Sequence, residues 1–455
     1  MSGKADNRAF YKAFLIMTVT VAFQNLIVYG VNLADSVMMG AYSETALSGV
    51  GICNNIQYLL FMTVIGVANG MTVIASRAWG KKDFDSIYRI SAVAMWLTCA
   101  FSVLVFVLCS FFPRQVIGLF TDKEAVAQQA ILYLNIIRWS YLIYSVTQIL
   151  LAVLRSVETV KIGFYVSVST FGLNIFLNYI FIYGKFGAPE LGVRGAALAT
   201  LISRAVEFAV VVIYALFVDK KLSLTFVKLF KTDAEMFRGY FRTGFPLLAS
   251  NISWGLAMSV QGAIIGRLAE SAIAANSIAT TIFQIATVIT YASSNAVCVL
   301  TAKMIGEGAT LDTIKDRSRK LQPVFLLIGL ISSGLLILFK TLIIGFYNAS
   351  PETVHCTNLF TAVLAVTIIG TSYEVPCLCG LVSGGGETSF VFRNDLIWMW
   401  GVVLPVSALS AFVFKFPVVV TFACLKADQV LKCIVAYFKV RKFNWIKKFK
   451  SEETE

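Results

Sequence analysis

Apolar stretches long enough to cross a bilayer recur about every 35 residues along the whole chain. In hydrocarbon a backbone must satisfy its own hydrogen bonds, and a single segment does so only as a helix. The 455 residues are 58% hydrophobic and 14% charged, where soluble domains carry about 25% charge. No long polar stretch is left to form a soluble enzyme on an anchor. The expected class is an all-α integral membrane protein with twelve transmembrane helices. Polar punctuation places them near 10–38, 46–76, 86–112, 125–154, 162–184 and 195–218, then near 236–266, 271–301, 316–347, 353–382, 389–414 and 417–438. The organisation that follows is an N-terminal six-helix bundle over 1–219, a linker over 220–235, a C-terminal six-helix bundle over 236–440 and a basic tail over 441–455.

The formal charge of +13 suggests nucleic-acid binding until its distribution is read. The basic residues fall in short clusters between apolar runs, such as Arg77, Lys81 and Lys82, then Lys220, Lys221 and Lys228, then Lys315, Arg317, Arg319 and Lys320. That is the bias of cytoplasmic loops. It puts both termini in the cytoplasm and the chain in the plasma (inner) membrane, with lipid rather than nucleic acid as its surroundings. The nine cysteines lie mostly in apolar segments and read as small buried hydrophobes. The single histidine, His355, is expected in an outer loop, which removes His-based catalysis and argues against an enzyme. Met1–Lys12 is short and charged, without the pattern of a cleaved leader.

An internal repeat organises the chain. Shifting it by 226 positions lays Glu44–Gly80 on Glu270–Gly306 without a gap, with Ala46/Ala272, Ile52/Ile278, Asn69/Asn295 and Gly80/Gly306 identical and Arg77 on Lys303. A second echo sets Val157-Glu158-Thr159 beside Gly386-Glu387-Thr388. Two six-helix halves cross in the same sense, so the axis relating the two pseudo-symmetric bundles is expected along the membrane normal, as in alternating-access transporters.

Four stretches then carry a family resemblance: Leu33-Ala34-Asp35-Ser36-Val37-Met38-Met39-Gly40, Ala75-Ser76-Arg77-Ala78-Trp79-Gly80, the pair Leu173–Ile182 and Leu191–Thr200, and Ser383-Gly384-Gly385-Gly386-Glu387-Thr388. In order and spacing they resemble the multidrug and toxic compound extrusion (MATE) family. The resemblance implies a monomeric secondary antiporter that exports organic cations or amphiphilic drugs in exchange for Na⁺ or H⁺, with no cofactor beyond that coupling ion.

Asp35 leads the candidate residues. An ionised carboxylate at the centre of a membrane helix costs about 2.5–3.5 kcal/mol on insertion scales, so it implies a partner or a cavity. Asn174 and Asn178 are four apart and share a helix face. With Thr200 they match positions that in the family line a cation site beside the acid. Carboxylate, amide and hydroxyl oxygens are the ligands a hard cation such as Na⁺ prefers. Glu374 matches a family acid used for cation or substrate binding, and Tyr373, Gln284 and Gln261 are the further candidates for the substrate cleft. A structural role for Glu374, paired with Arg204 or Arg138, is the competing reading. Three departures from the family stand out: Asn178 where many relatives have an acid, no acid after Gly244-Phe245-Pro246, and no proline at Thr18-Val19-Thr20. Pro246 is expected to kink the seventh helix. The rival functions are a flippase for lipid-linked precursors, which needs a cationic cleft, and a non-transporting receptor or scaffold.

Overall fold

The computed structural model describes residues 2–222, 224–225, 228–268, 270–345 and 350–447. The end of the basic tail, with Lys448 and Lys450, lies outside them. The described residues contain helices and no β-strand. In chain order the first six helical segments are α1 (Ser2–Tyr42), α2 (Glu44–Gly80), α3 (Phe84–Phe111), α4 (Glu124–Ile137 with Ser140–Ser156), α5 (Lys161–Tyr183) and α6 (Val193–Val218). After the short helix Ala234–Thr243 come α7 (Phe245–Gly266), α8 (Glu270–Ala286 with Val288–Gly306), α9 (Leu311–Gly345), α10 (Pro351–Val382), α11 (Thr388–Val413) and α12 (Val418–Leu425 with Asp428–Lys442). Among the described residues nine helices are long and apolar enough to cross a membrane, and ten if the two parts of α4 make one span.

Helix ends follow from local chemistry. Asp83 accepts the Ser86 amide at 3.0 Å to start α3, and Ser350 accepts the Thr353 amide at 3.3 Å to start α10. His355 therefore sits on the first turns of α10, exposed, and not in a loop. Pro246 stands in the first turn of α7, where the missing N–H is no loss, and the span expected over 236–266 is interrupted at Gly244, two residues before it. A bend of 53° lies in α4, between Ile137 and Ser140. The twelfth segment is shorter and broken: Val418–Leu425 stops before Asp428–Lys442 begins.

The repeat reaches the backbone. Helix α2 begins and ends at Glu44 and Gly80, and α8 at Glu270 and Gly306, the same positions under the 226 shift. The second echo needs correcting by one residue. Glu158 (φ 59°) and Gly386 (φ 92°) are the left-handed residues of two matching helix-ending turns, in which Thr159 N–H donates to Leu154 O and Glu387 N–H to Val382 O. Backbone geometry thus equates Glu158 with Gly386, not with Glu387.

The chain divides into two compact units, one of Phe23–Ala75 and Asp83–Arg242, the other of Met1–Ala22, Ser76–Lys82 and Thr243–Glu455. The first packs Met39, Val50, Leu60, Tyr133, Tyr141 and Ile182 into its core. The second packs Ile278, Leu364, Leu404 and the stacked rings of Phe360 and Phe422, 3.9 Å apart. Large apolar side chains also cover the outside: Phe217 is 81% exposed and Leu338 69%. A surface of that kind suits lipid rather than water. Some hydroxyls inside the helices bond back to the preceding turn, as Thr72 does to Ala68 O at 2.8 Å and Ser91 to Ile87 O at 2.6 Å, which satisfies these without a partner helix.

Candidate functional site

Within the first unit, α1, α5 and α6 bring Asp35, Asn174, Asn178 and Thr200 together. The Asn178 amide nitrogen donates to Asp35 Oδ1 at 2.5 Å and to Asn174 Oδ1 at 3.2 Å, and the Asn174 nitrogen reaches Thr200 Oγ1 at 3.5 Å. The asparagines are four apart on α5, which is why both face the same acid. Each is buried, and the remaining oxygen of Asn178, Oδ1, is buried with no hydrogen-bond partner. A buried acceptor left open in this way demands an account. The phenol of buried Tyr133 turns toward Thr200 and Gln57, closing the site on the α4 side.

One turn along α6 from Thr200 stands a group that the sequence reading placed elsewhere. Arg204 pairs with Glu207, Nη1 to Oε2 at 2.8 Å, and its guanidinium lies 5.0 Å from the centre of the Tyr144 ring. It pairs neither with Asp35 nor with Glu374. Arg138 reaches the Cys109 carbonyl at 3.5 Å. The buried Glu207, three residues after Arg204 and therefore on the same helix face, was the legible clue to this pair.

The second unit holds Glu374, buried on α10. Its charged neighbours are Lys432, Asp395 and Asp428. Lys432 Nζ lies 2.9 Å from Asp395 Oδ1 and 3.2 Å from Asp428 Oδ2, and Ser250 Oγ donates to Asp395 Oδ2 at 2.5 Å. Asp428 and Lys432 are four apart on one helix, a spacing at which opposite charges meet, whereas Asp395 stands on another helix. The other three candidates do not converge on Glu374. Tyr373 donates its hydroxyl to Gln322 Oε1 at 2.9 Å, since successive helix residues diverge by about 100°. Gln261 accepts from Lys426 Nζ at 3.0 Å and meets Met399 Sδ at 3.4 Å, and Gln284 is exposed.

A duplicated set of six helices, apolar on the outside and carrying buried carboxylates and amides within, defines a multi-pass membrane transporter. The sequence model of the MatE family matches residues 21–180 and matches again over 246–409. The chain belongs to that family. Both repeats are recognised by one model, and the two matches start at 21 and 246, in keeping with the shift read from the sequence. Among relatives, YisQ of Bacillus subtilis, a transporter, is 25% identical over 91% of this chain and 90% of its own length. A probable multidrug resistance protein NorM of Thermotoga maritima is 23% identical over 92% of this chain and 90% of its own. The fold is shared with a MATE crystallised in complex with MaL6 (TM-score 0.85, 19% identity, 96% of this chain and 97% of that one). It is shared to the same degree (TM-score 0.85, 19% identity, 96% of this chain and 97% of that one) with a MOP superfamily transporter from Pyrococcus furiosus that has a binding pocket of reverse polarity.

Proposed function

We propose that the chain is a secondary antiporter which exports small organic cations or amphiphiles in exchange for Na⁺ or H⁺, by alternating access between two six-helix halves, 1–219 and 236–440, joined by the linker 220–235. In this reading it works as a monomer in the inner membrane with both termini in the cytoplasm, consistent with the basic clusters. The observation that carries it is the open Asn178 Oδ1 beside the Asp35 carboxylate. With Asn174 and Thr200, these oxygens fit an inward-moving cation, Na⁺ on the full set or a proton on Asp35. The relatives described as probable multidrug resistance proteins support small-molecule cargo. Lys432 and Arg204 are already neutralised by carboxylates, which weighs against a flippase needing free cations for phosphates.

An ion drives transport only through different affinities for the two states. Asp35→Asn keeps the hydrogen-bonding shape and removes the charge. In proteoliposomes loaded with a fluorescent cation, imposed Na⁺ or pH gradients are expected to drive efflux in the parent and not in this variant. Unchanged gradient-driven efflux by Asp35→Asn ends the proposal. Whichever gradient works identifies the coupling ion.

A further inference from the structure

The glycine-rich turn between α10 and α11, Ser383–Thr388, belongs to neither carboxylate site. The chain that follows α12 lies against it. Helix α12 ends at Lys442, Phe443 turns left-handed (φ 52°), and the backbone folds back. Trp445 is fully buried there, its indole N–H donating to Val440 O at 3.1 Å. Lys447 N–H donates to Gly385 O at 3.0 Å, and Lys447 Nζ lies 3.2 Å from Glu387 Oε2. A Cβ on Gly385 would run into the Trp445 ring, so glycine at 385 is what admits the indole.

The repeat gives this docking a counterpart. Lys221, which the shift of 226 lays on Lys447, donates Nζ to Val157 O at 2.8 Å, and Val157 precedes Glu158 as Gly385 precedes Gly386. In each half the segment after the sixth helix closes on the turn after the fourth. The second docking also engages the other half. Arg77, at the end of α2, is 4% exposed and donates Nη1 to Lys447 O and Nη2 to Gly385 O, each at 3.0 Å. A guanidinium buried this far needs its acceptors, because leaving it unpaired is costly. One of the two bonds thus runs to the α10–α11 turn and the other to the segment beyond α12.

We propose that residues 443–447 are a strap that holds the cytoplasmic end of the transporter closed. Docked, the strap presents Lys447 O to Arg77 and so ties the end of α2 to the second half. When the halves part at this end to open inward, both Arg77 bonds break. Strap docking and closure therefore favour one another, and loss of the strap shifts the chain toward the inward-open state. The inference rests on the alternating-access reading and adds to it a conformational device.

The test is a distance measurement on the full chain in lipid nanodiscs. Lys81, exposed just after α2, and Asp312, exposed at the start of α9, are replaced by p-acetylphenylalanine and spin-labelled, which leaves the nine native cysteines in place. Pulsed electron resonance then counts molecules with the two helix ends together and apart. Trp445→Ala removes the anchor of the strap and is expected to raise the ratio of long to short distances about tenfold, the weight of one hydrogen bond to a charged group. Arg77→Gln is expected to raise it at least as much, and adding Trp445→Ala to it little further, because both act through one bond. A change below about threefold with Trp445→Ala, or full additivity of the two substitutions, overturns the proposal. Should Trp445→Ala aggregate, a chain ended after Lys442 takes its place; aggregation of both makes the segment a structural plug and also overturns it. Unchanged distances beside intact gradient-driven efflux strike the strap alone, and shifted distances stand whatever Asp35→Asn does to efflux.

Discussion

Gly80 and Gly306 occupy equivalent positions in the repeat, and they meet. A Cβ built on Gly306 would fall 2.0 Å from Arg77 O, and one on Gly80 2.2 Å from Lys303 O, whereas ordinary contact begins at 3.4 Å. Both obstacles are helix backbone, which cannot rotate away as a side chain can. Either alanine must therefore push this end of α2 and α8 apart by roughly an ångström, an overpacking that costs about 1–3 kcal/mol. The first displacement also makes room for the second methyl, because the two glycines face each other across one crossing. Gly80→Ala/Gly306→Ala is thus expected to cost clearly less than the sum of the single changes. Thermal unfolding of the purified protein, followed by the loss of its monodisperse elution peak, gives the comparison. Gly262→Ala and Gly334→Ala are controls: a Cβ there meets nothing within 4 Å, and helix propensity alone favours alanine by up to about 1 kcal/mol. Wild-type melting of Gly306→Ala, or strict additivity in the double variant, would show that the two helix ends do not meet at these glycines.

Other expectations rest on single contacts. Glu207→Gln leaves the Arg204 guanidinium, 24% exposed, without its ion pair and should destabilise by about 1–3 kcal/mol, whereas Arg204→Leu/Glu207→Leu should recover most of that loss in the same melting assay. Arg77 donates to Gly385 O and Lys447 O, each at 3.0 Å. Arg77→Ala should release the segment near Lys447 and speed its cleavage by trypsin, with Arg77→Lys intermediate. The Asp233 carboxylate is held below its usual range by the Met236 amide it accepts at 2.8 Å, with Arg89 adding to the effect. Stabilisation from a lowered carboxylate is present above its unfolded value near 4 and fades as pH falls through the folded one. The protection factor of the Met236 amide, its exchange measured against the intrinsic rate, should accordingly fall below about pH 4, and Asp233→Asn should remove that pH dependence.

Much of the architecture was open to inspection in the chain alone. Apolar runs set the helices because lipid leaves the backbone no alternative, and the ungapped shift of 226 fixed the matching ends of α2 and α8. The grouping of Asp35 with Asn174, Asn178 and Thr200 was legible for two reasons: the asparagines are one turn apart, and the surrounding stretches match a known family. Where neither support existed, sequence reading failed. Arg204, one of two bases that the competing reading offered to Glu374, pairs instead with Glu207 three residues away. Tyr373, adjacent to Glu374 in the chain, bonds a different helix. His355 was misplaced because helix starts depend on caps such as Ser350, which weigh little against a polar stretch.

A duplicated set of membrane helices, with carboxylates placed where carboxylates are expensive, can be read from the order of residues. Which charge answers which follows from how the helices pack. Asp35 finds its donor 143 residues on, at Asn178, and Lys432 finds Asp395 37 residues back. Hydrogen bonds and ion pairs form within about 3 Å, and periodicity along one helix says nothing about which side chains of another helix come that close.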